Sequence, residues 1–169
     1  MGVYAVQVTG GRELHAASLI ERFAAQEITR CYVPRYELMK RYSGEWRKVR
    51  EILFPGYLFV TARDPKAAAA ALWRTPTFAR LLGNDGTFIP LSKDELSWLE
   101  RLSAPQSHVV EMSEGVIEGD SVVVTRGPLV GHEALIKKID RHKKLAYLDM
   151  YMFGRTKTVR VGLEIVKKH

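Results

Sequence analysis

Six basic residues fall within eight positions near the C-terminal end: Lys137, Lys138, Arg141, His142, Lys143 and Lys144. Arg155, Lys157 and Arg160 follow at the next strand candidate. Clustered ammonium and guanidinium groups neutralise phosphates and release condensed counterions, so this density suits a polyanion better than mere solubility requires. A second basic stretch runs over residues 29–52. Arg30, Arg35, Lys40, Arg41, Arg47, Lys48 and Arg50 are interleaved there with Tyr32, Tyr36, Tyr42 and Trp46. Cations alternating with rings on an extended ribbon suit phosphate tracking and base stacking. The same pattern also serves a solvated hairpin that protects its edges with charge.

Catalysis has little to build on. No Ser/His/Asp or Cys/His arrangement presents itself, and no phosphate-cradling glycine loop follows a strand. The five histidines at 15, 108, 132, 142 and 169 lie in different segments, which gives no metal-ligand spacing. Cys31 is the only cysteine, so an intrachain disulfide is excluded. A lone thiol in a strand reads as a small buried hydrophobe and fits a reducing cytoplasm. The expectation is a protein that is no enzyme and needs no metal or cofactor.

The apolar run Ile52 to Val60, ILFPGYLFV, carries no charge and breaks at Pro55-Gly56. Such a pair ends one strand and opens another. Alternation puts Tyr57 and Phe59 on one face of the second strand, with Leu58 and Val60 on the other. This strand is either covered on both faces or keeps an apolar face for a partner.

The elements that position these residues are legible in outline. Val3 to Val8 reads as a strand, Arg12 to Gln26 as an amphipathic helix, and Ser43-Gly44 as the turn of a hairpin. Asp64-Pro65 opens an Ala-rich helix that Arg74-Thr75-Pro76 stops, a loop falls at Asn84-Asp85-Gly86, and Ser92 caps a helix reaching about Leu102. That order predicts an α/β sandwich on a mostly antiparallel sheet over residues 1–103. Residues 104–114 lose periodicity and turn polar, as a flexible linker would. From Gly115 onward, short strand candidates at Val122–Val124, Leu135–Ile136, Leu145–Leu148 and Thr158–Val161 are separated by turns, which predicts a small β-barrel. Net charge is +7 overall, and the 115–169 stretch alone carries 11 Lys+Arg against six Asp+Glu. No apolar run approaches the ~18 residues of a membrane helix, and the N-terminus is no signal peptide.

Read end to end, the chain resembles the NusG family of bacterial transcription elongation factors. The resemblance rests on Val3-Tyr4-Ala5-Val6, the basic hairpin, Phe54-Pro55-Gly56-Tyr57, Arg74-Thr75-Pro76 and Ile89-Pro90-Leu91-Ser92. In the last third it rests on the KOW-type pattern Gly119-Asp120-x-Val122-x-Val124 with Gly127-Pro128, continuing to Phe153-Gly154-Arg155. It implies an N-terminal NGN domain, a linker and a C-terminal SH3-like KOW barrel. It also implies a cytoplasmic, monomeric factor. Its N-terminal domain would sit on the clamp helices of RNA polymerase's largest subunit and reach toward the second-largest. Tyr4, Phe54, Tyr57 and Phe59 match the polymerase-facing patch, and Arg74 and Thr75 match the loop that crosses the channel. Of these, Phe54, Tyr57 and Phe59 are expected to stay partly exposed.

In the family the barrel recruits Rho or a ribosomal protein through a loop whose usual GPF is Gly127-Pro128-Leu129 here. That loss and the basic Lys137-Lys138 favour nascent RNA, a structured leader hairpin, as the barrel's partner. The RNA-facing residues are then Lys137, Lys138, Arg141, His142, Lys143, Lys144, Arg155, Lys157 and Arg160. The loop at residues 82–86 with the following FIPLS looks like the LoaP-type antiterminators. Two alternatives remain: a general elongation factor coupling polymerase to Rho or the ribosome, and a ribosome-associated RNA-binding module.

Overall fold

In the computed structural model, residues 1–84 and 86–166 are described. They gather into two compact units: Met1–Val33 with Phe54–Leu96, and Pro34–Leu53 with Ser97–His169.

The first unit follows local chemistry closely. β1 (Gly2–Val8) leads to α1 (Glu13–Phe23), and then β2 (Arg30–Tyr32) closes the segment. Of the helix's apolar spacing, Ala17, Ile20 and Ala24 are buried, with Ala16 beside them, whereas Leu14 and Phe23 are exposed. After the excursion of β3 (Arg35–Tyr42) and β4 (Glu45–Ile52) into the second unit, β5 (Tyr57–Ala62) returns to the centre of the sheet. α2 (Pro65–Arg74) and β6 (Ala79–Leu81) follow, then β7 (Gly83–Asn84) and β8 (Thr87–Phe88) pair as a short ladder. The expected loop centre Asp85 lies outside the described residues. The main sheet runs β2-β5-β1-β6, all antiparallel, as expected.

Two caps were legible. Asp64 Oδ1 accepts from the Lys66 and Ala67 N–H groups at 3.0 and 3.4 Å, with Pro65 in the first turn. Ser92 and Glu95 form a reciprocal capping box at the start of α3 (Lys93–Leu102). The Pro-Gly break works as a tight turn: Gly56 has φ +85°, and its N–H donates to the buried Glu13 carboxylate at 2.7 Å.

The second unit holds the barrel and more. Strands β9 (Val109–Val110), β10 (Ser113–Glu118) and β11 (Ser121–Arg126) are followed by a 3-10 turn at Glu133–Leu135. β12 (Ile136–Asp140), β13 (Leu145–Met152) and β14 (Arg155–Ile165) complete it. The barrel sheet is ordered β11-β10-β14-β13-β12, and the 3-10 turn touches both β11 and β13, which closes it. Leu129, Leu148, Val161 and Leu163 are fully buried at its core.

Two expectations change here. The segment read as a flexible linker contains a buried strand, since β9 pairs in parallel with β3. A two-residue strand has no periodicity to read, which is why the sequence showed only polarity there. The ribbon β3–β4 also belongs to the barrel's compact unit rather than to the unit that precedes it in sequence. Ser43 (φ 50°) and Gly44 (φ 83°) make its expected turn.

Gly162 on β14 explains how the ribbon packs there. A Cβ at that position would collide with the Glu37 carbonyl of β3 and the Met112 sulfur. Gly162→Ala is therefore expected to lower stability by about 1–3 kcal/mol, because a backbone carbonyl cannot swing aside. Thermal unfolding checks this, and an unchanged midpoint would show that β3 and β14 do not approach so closely.

Candidate functional site

The aromatic strand departs from its expected division of faces. Phe54 is 2% exposed and Phe59 0%, while Tyr57 is only half-buried. The expectation that all three rings stay partly exposed is corrected for both phenylalanines. β5 runs between β1 and β2, with Phe59 opposite Ala5 on one side and Tyr32 on the other. Its ring lies 5.7 Å from that of Tyr32 and meets Phe54 edge-on at 5.8 Å. Alternation correctly separated Phe59 from Leu58, but both faces proved to be covered.

Register corrects a second grouping. Tyr4 pairs with Val60 and Ala5 with Phe59. Directly opposed residues share a face, so Tyr4 lies on the side of Leu58 and Val60, away from Phe59. It is also buried. The four aromatic residues do not form one patch.

At the end of α2, Thr75 is buried and its hydroxyl donates to the Ala71 carbonyl at 2.9 Å, so it acts as a helix-end fastening. Arg74 is exposed and pairs with Glu27 at 3.0 Å. Sequence reading passed over Trp73, which is 88% exposed, and Phe78, which is also exposed. Both sit beside Arg74-Thr75. Trp73 could have been found by its position opposite the buried Ala68-Ala71-Leu72 stripe.

The nine basic residues of the barrel divide into three places. Lys138 faces Tyr147, and Tyr147 pairs in turn with Arg160, so these lie side by side across three strands. A bulge between Ile136 and Lys138 leaves Lys137 and Lys138 both exposed, and Lys137 pairs with Asp149 at 3.6 Å. Arg141, His142, Lys143 and Lys144 make the β12–β13 turn. Lys144, at φ 57°, bonds Glu164 at 2.9 Å. Arg155 and Lys157 lie at the far end of β13, roughly 20 Å from that turn at ~3.3 Å per residue.

The ribbon meets this surface within the same unit. The Trp46 indole lies under the Lys144 ammonium at 4.5 Å, with the Arg41 guanidinium at 5.9 Å. Glu51 is the acidic centre of the contact. It pairs with Lys40, accepts from the Tyr36 hydroxyl at 3.1 Å and faces Arg160 at 3.8 Å. The Lys40 hydrogen bond, aided by Tyr36 and Arg160 against partial burial, holds its carboxyl below the ordinary 4.5. The same bond raises Lys40. Burial pushes the Tyr36 phenol up, with Arg160 opposing.

Other candidates are structural. Burial, then the Glu21 charge, pushes the Cys31 thiol up to about 12, so it stays protonated and unreactive at neutral pH. Leu129, in the loop where the family has an aromatic residue, is fully buried, and its N–H donates to Ser113 Oγ. Among the described residues, no three His, Cys, Asp or Glu gather to hold a metal, and no helix is long and apolar enough to cross a membrane.

Residues 2–100 match the family model described as NusG, transcription termination factor, and residues 118–149 match the KOW motif. The transcription termination/antitermination protein NusG of Thermus thermophilus is 28% identical over 98% of this chain and 97% of its own length. That of Helicobacter pylori strain J99 is 26% identical over 99% and 98%. The Streptomyces griseus protein of the same name is 27% identical, and this chain spans 61% of its length. A solved structure titled "Domain interaction in Thermotoga maritima NusG" shares the fold, with a TM-score of 0.54 at 20% identity over 95% of this chain and 93% of that one.

Two outcomes check the site. Phe59→Ala should cost about 3–5 kcal/mol in denaturant unfolding, as a buried core aromatic does, whereas a surface ring would cost little. Glu51 should also shape acid stability. Its depressed carboxyl contributes fully above the ordinary value of 4.5, and that contribution is lost as pH falls through the lower folded value. Glu51→Gln should flatten this acid limb in a stability-versus-pH profile.

Proposed function

The chain belongs to the NusG family of transcription factors, which are not enzymes, and on that premise we propose that it acts as a processive antiterminator of the LoaP type. It docks on RNA polymerase through its N-terminal region while the basic barrel holds nascent leader RNA. The observation that carries this is the pair Lys137 and Lys138, both exposed at the β12 bulge, with Tyr147 opposite Lys138 on β13. Neighbouring cations on a rigid sheet contact several phosphates at once without ordering loops first, and a tyrosine among them offers a ring to a base.

Docking on the polymerase clamp helices, and toward the second-largest subunit, falls to residues that keep exposed surface. These are Tyr57, Arg74 and the neighbouring Trp73. Tyr4, Phe54, Phe59 and Thr75 are buried and do not present their side chains to that surface. Trp73→Ala/Arg74→Ala is expected to weaken polymerase binding at least tenfold with little change in melting temperature. Equal binding by the variant would remove this corner from the contact.

The deciding assay is transcription in vitro through a terminator, with and without a candidate leader. Read-through that rises only when the leader is transcribed supports the antiterminator. Read-through indifferent to every leader, with Rho or ribosome retained in a pull-down, supports the general coupling factor instead. For the barrel, Lys137→Ala/Lys138→Ala should bind a leader hairpin more weakly. Its plot of log affinity against log salt should be shallower by about one unit or more. An unchanged slope would take both lysines off the RNA surface.

A further inference from the structure

The ribbon and the barrel's β12–β13 turn, both in the second unit, enclose a cleft of ≈ 480 Å³. Its lining includes Lys40, Arg41, Lys143 and Arg160 against a single carboxylate, Glu51, with Trp46 at one wall. Glu51 is already shared by Lys40 and Arg160. Arg41 and Lys143 have no acidic partner among the described residues, so the cleft carries a surplus of positive charge. The Trp46 indole is partly exposed, and the Arg41 and Lys144 cations lie near its ring.

We propose that this cleft binds one nucleotide of a single-stranded nucleic acid, its phosphate on Arg41 and Lys143 and its base against Trp46. The inference deepens the RNA-binding reading above by adding a second contact, built half from the ribbon and half from the barrel. Three features select the ligand. The volume falls in the ~300–1,000 Å³ range of small-ligand sites, so it admits a splayed nucleotide and not a duplex. Unshared guanidinium and ammonium groups call for an anion. The partly exposed Trp46 indole, which already draws the Arg41 and Lys144 cations, offers a ring surface that tolerates any base.

The test uses the full chain and fluorescence anisotropy with labelled single-stranded RNA and DNA oligonucleotides of one sequence. Trp46→Ala is expected to weaken binding on the order of tenfold with no change in salt slope, because a stacking ring carries no charge. Trp46→Phe should recover most of the affinity, which separates stacking from a folding defect. Arg41→Ala should weaken binding and reduce the slope by about 0.7. The RNA and DNA arms tell which strand the cleft prefers, and tight binding of either supports it. If Trp46→Ala and Arg41→Ala bind both strands like the parent while Lys137→Ala/Lys138→Ala weakens RNA binding, the cleft is overturned and the outer-face reading stands. If the cleft variants weaken binding and the lysine pair does not, the cleft stands and the outer face falls. A parent chain that binds neither strand overturns both.

Discussion

One carboxylate holds together a contact that its neighbours would otherwise push apart. Lys40 and Arg160 come from different strands of the second unit, and both converge on Glu51, which also accepts the Tyr36 hydroxyl. Like charges a few ångströms apart repel by about 1 kcal/mol in water and by several in a partly dry setting. Without Glu51 the ribbon would present a row of cations to a barrel face that is itself cationic. Glycine at 162 removes the steric obstacle to this packing, and Glu51 removes the electrostatic one. Each is needed because the ribbon must lie close for β9 to pair with β3 and for the Met112 N–H to reach Glu37.

That constraint also determines how the basic residues can be used. Nine basic residues spread evenly would make a diffuse field that attracts any polyanion. Here the bulge at Lys137-Lys138 sends two outward, the β12–β13 turn sends others toward the ribbon, and Arg155 and Lys157 sit at the opposite end of β13. The basic side chains therefore form separate groups on the barrel. The barrel does not act as one uniform patch, although in the sequence the nine residues read as a single cluster.

What was legible divides along the range of the physics. Short-range signals carried through: the Ser43-Gly44 turn, the Asp64 cap with Pro65 and the Ser92 cap each depend on residues within a few positions. The family motifs and the two-part architecture were legible for the same reason, as ordered local patterns. Coverage was not. Alternation told which residues share a face of β5 but could not tell that both faces are covered, because that depends on residues such as Tyr32 arriving from another strand. Register failed similarly for Tyr4, whose face is fixed by its pairing with Val60.

The ribbon's allegiance to the barrel was the least legible feature, and the reason is general. A hairpin bounded by Pro34 and Pro55 is locally complete: the Leu53 N–H closes its base on the Pro34 carbonyl, and its turn needs no help. Nothing in such a segment announces what it packs against. The information lies in a glycine far along the chain, whose missing side chain has meaning only once β3 lies over it. A sequence reader meets Gly162 within Val161-Gly162-Leu163 and sees a weak point in a strand. In the folded chain that gap is where the ribbon fits. The exposed ring of Trp46 and the unshared charges of Arg41 and Lys143 are brought together as its consequence.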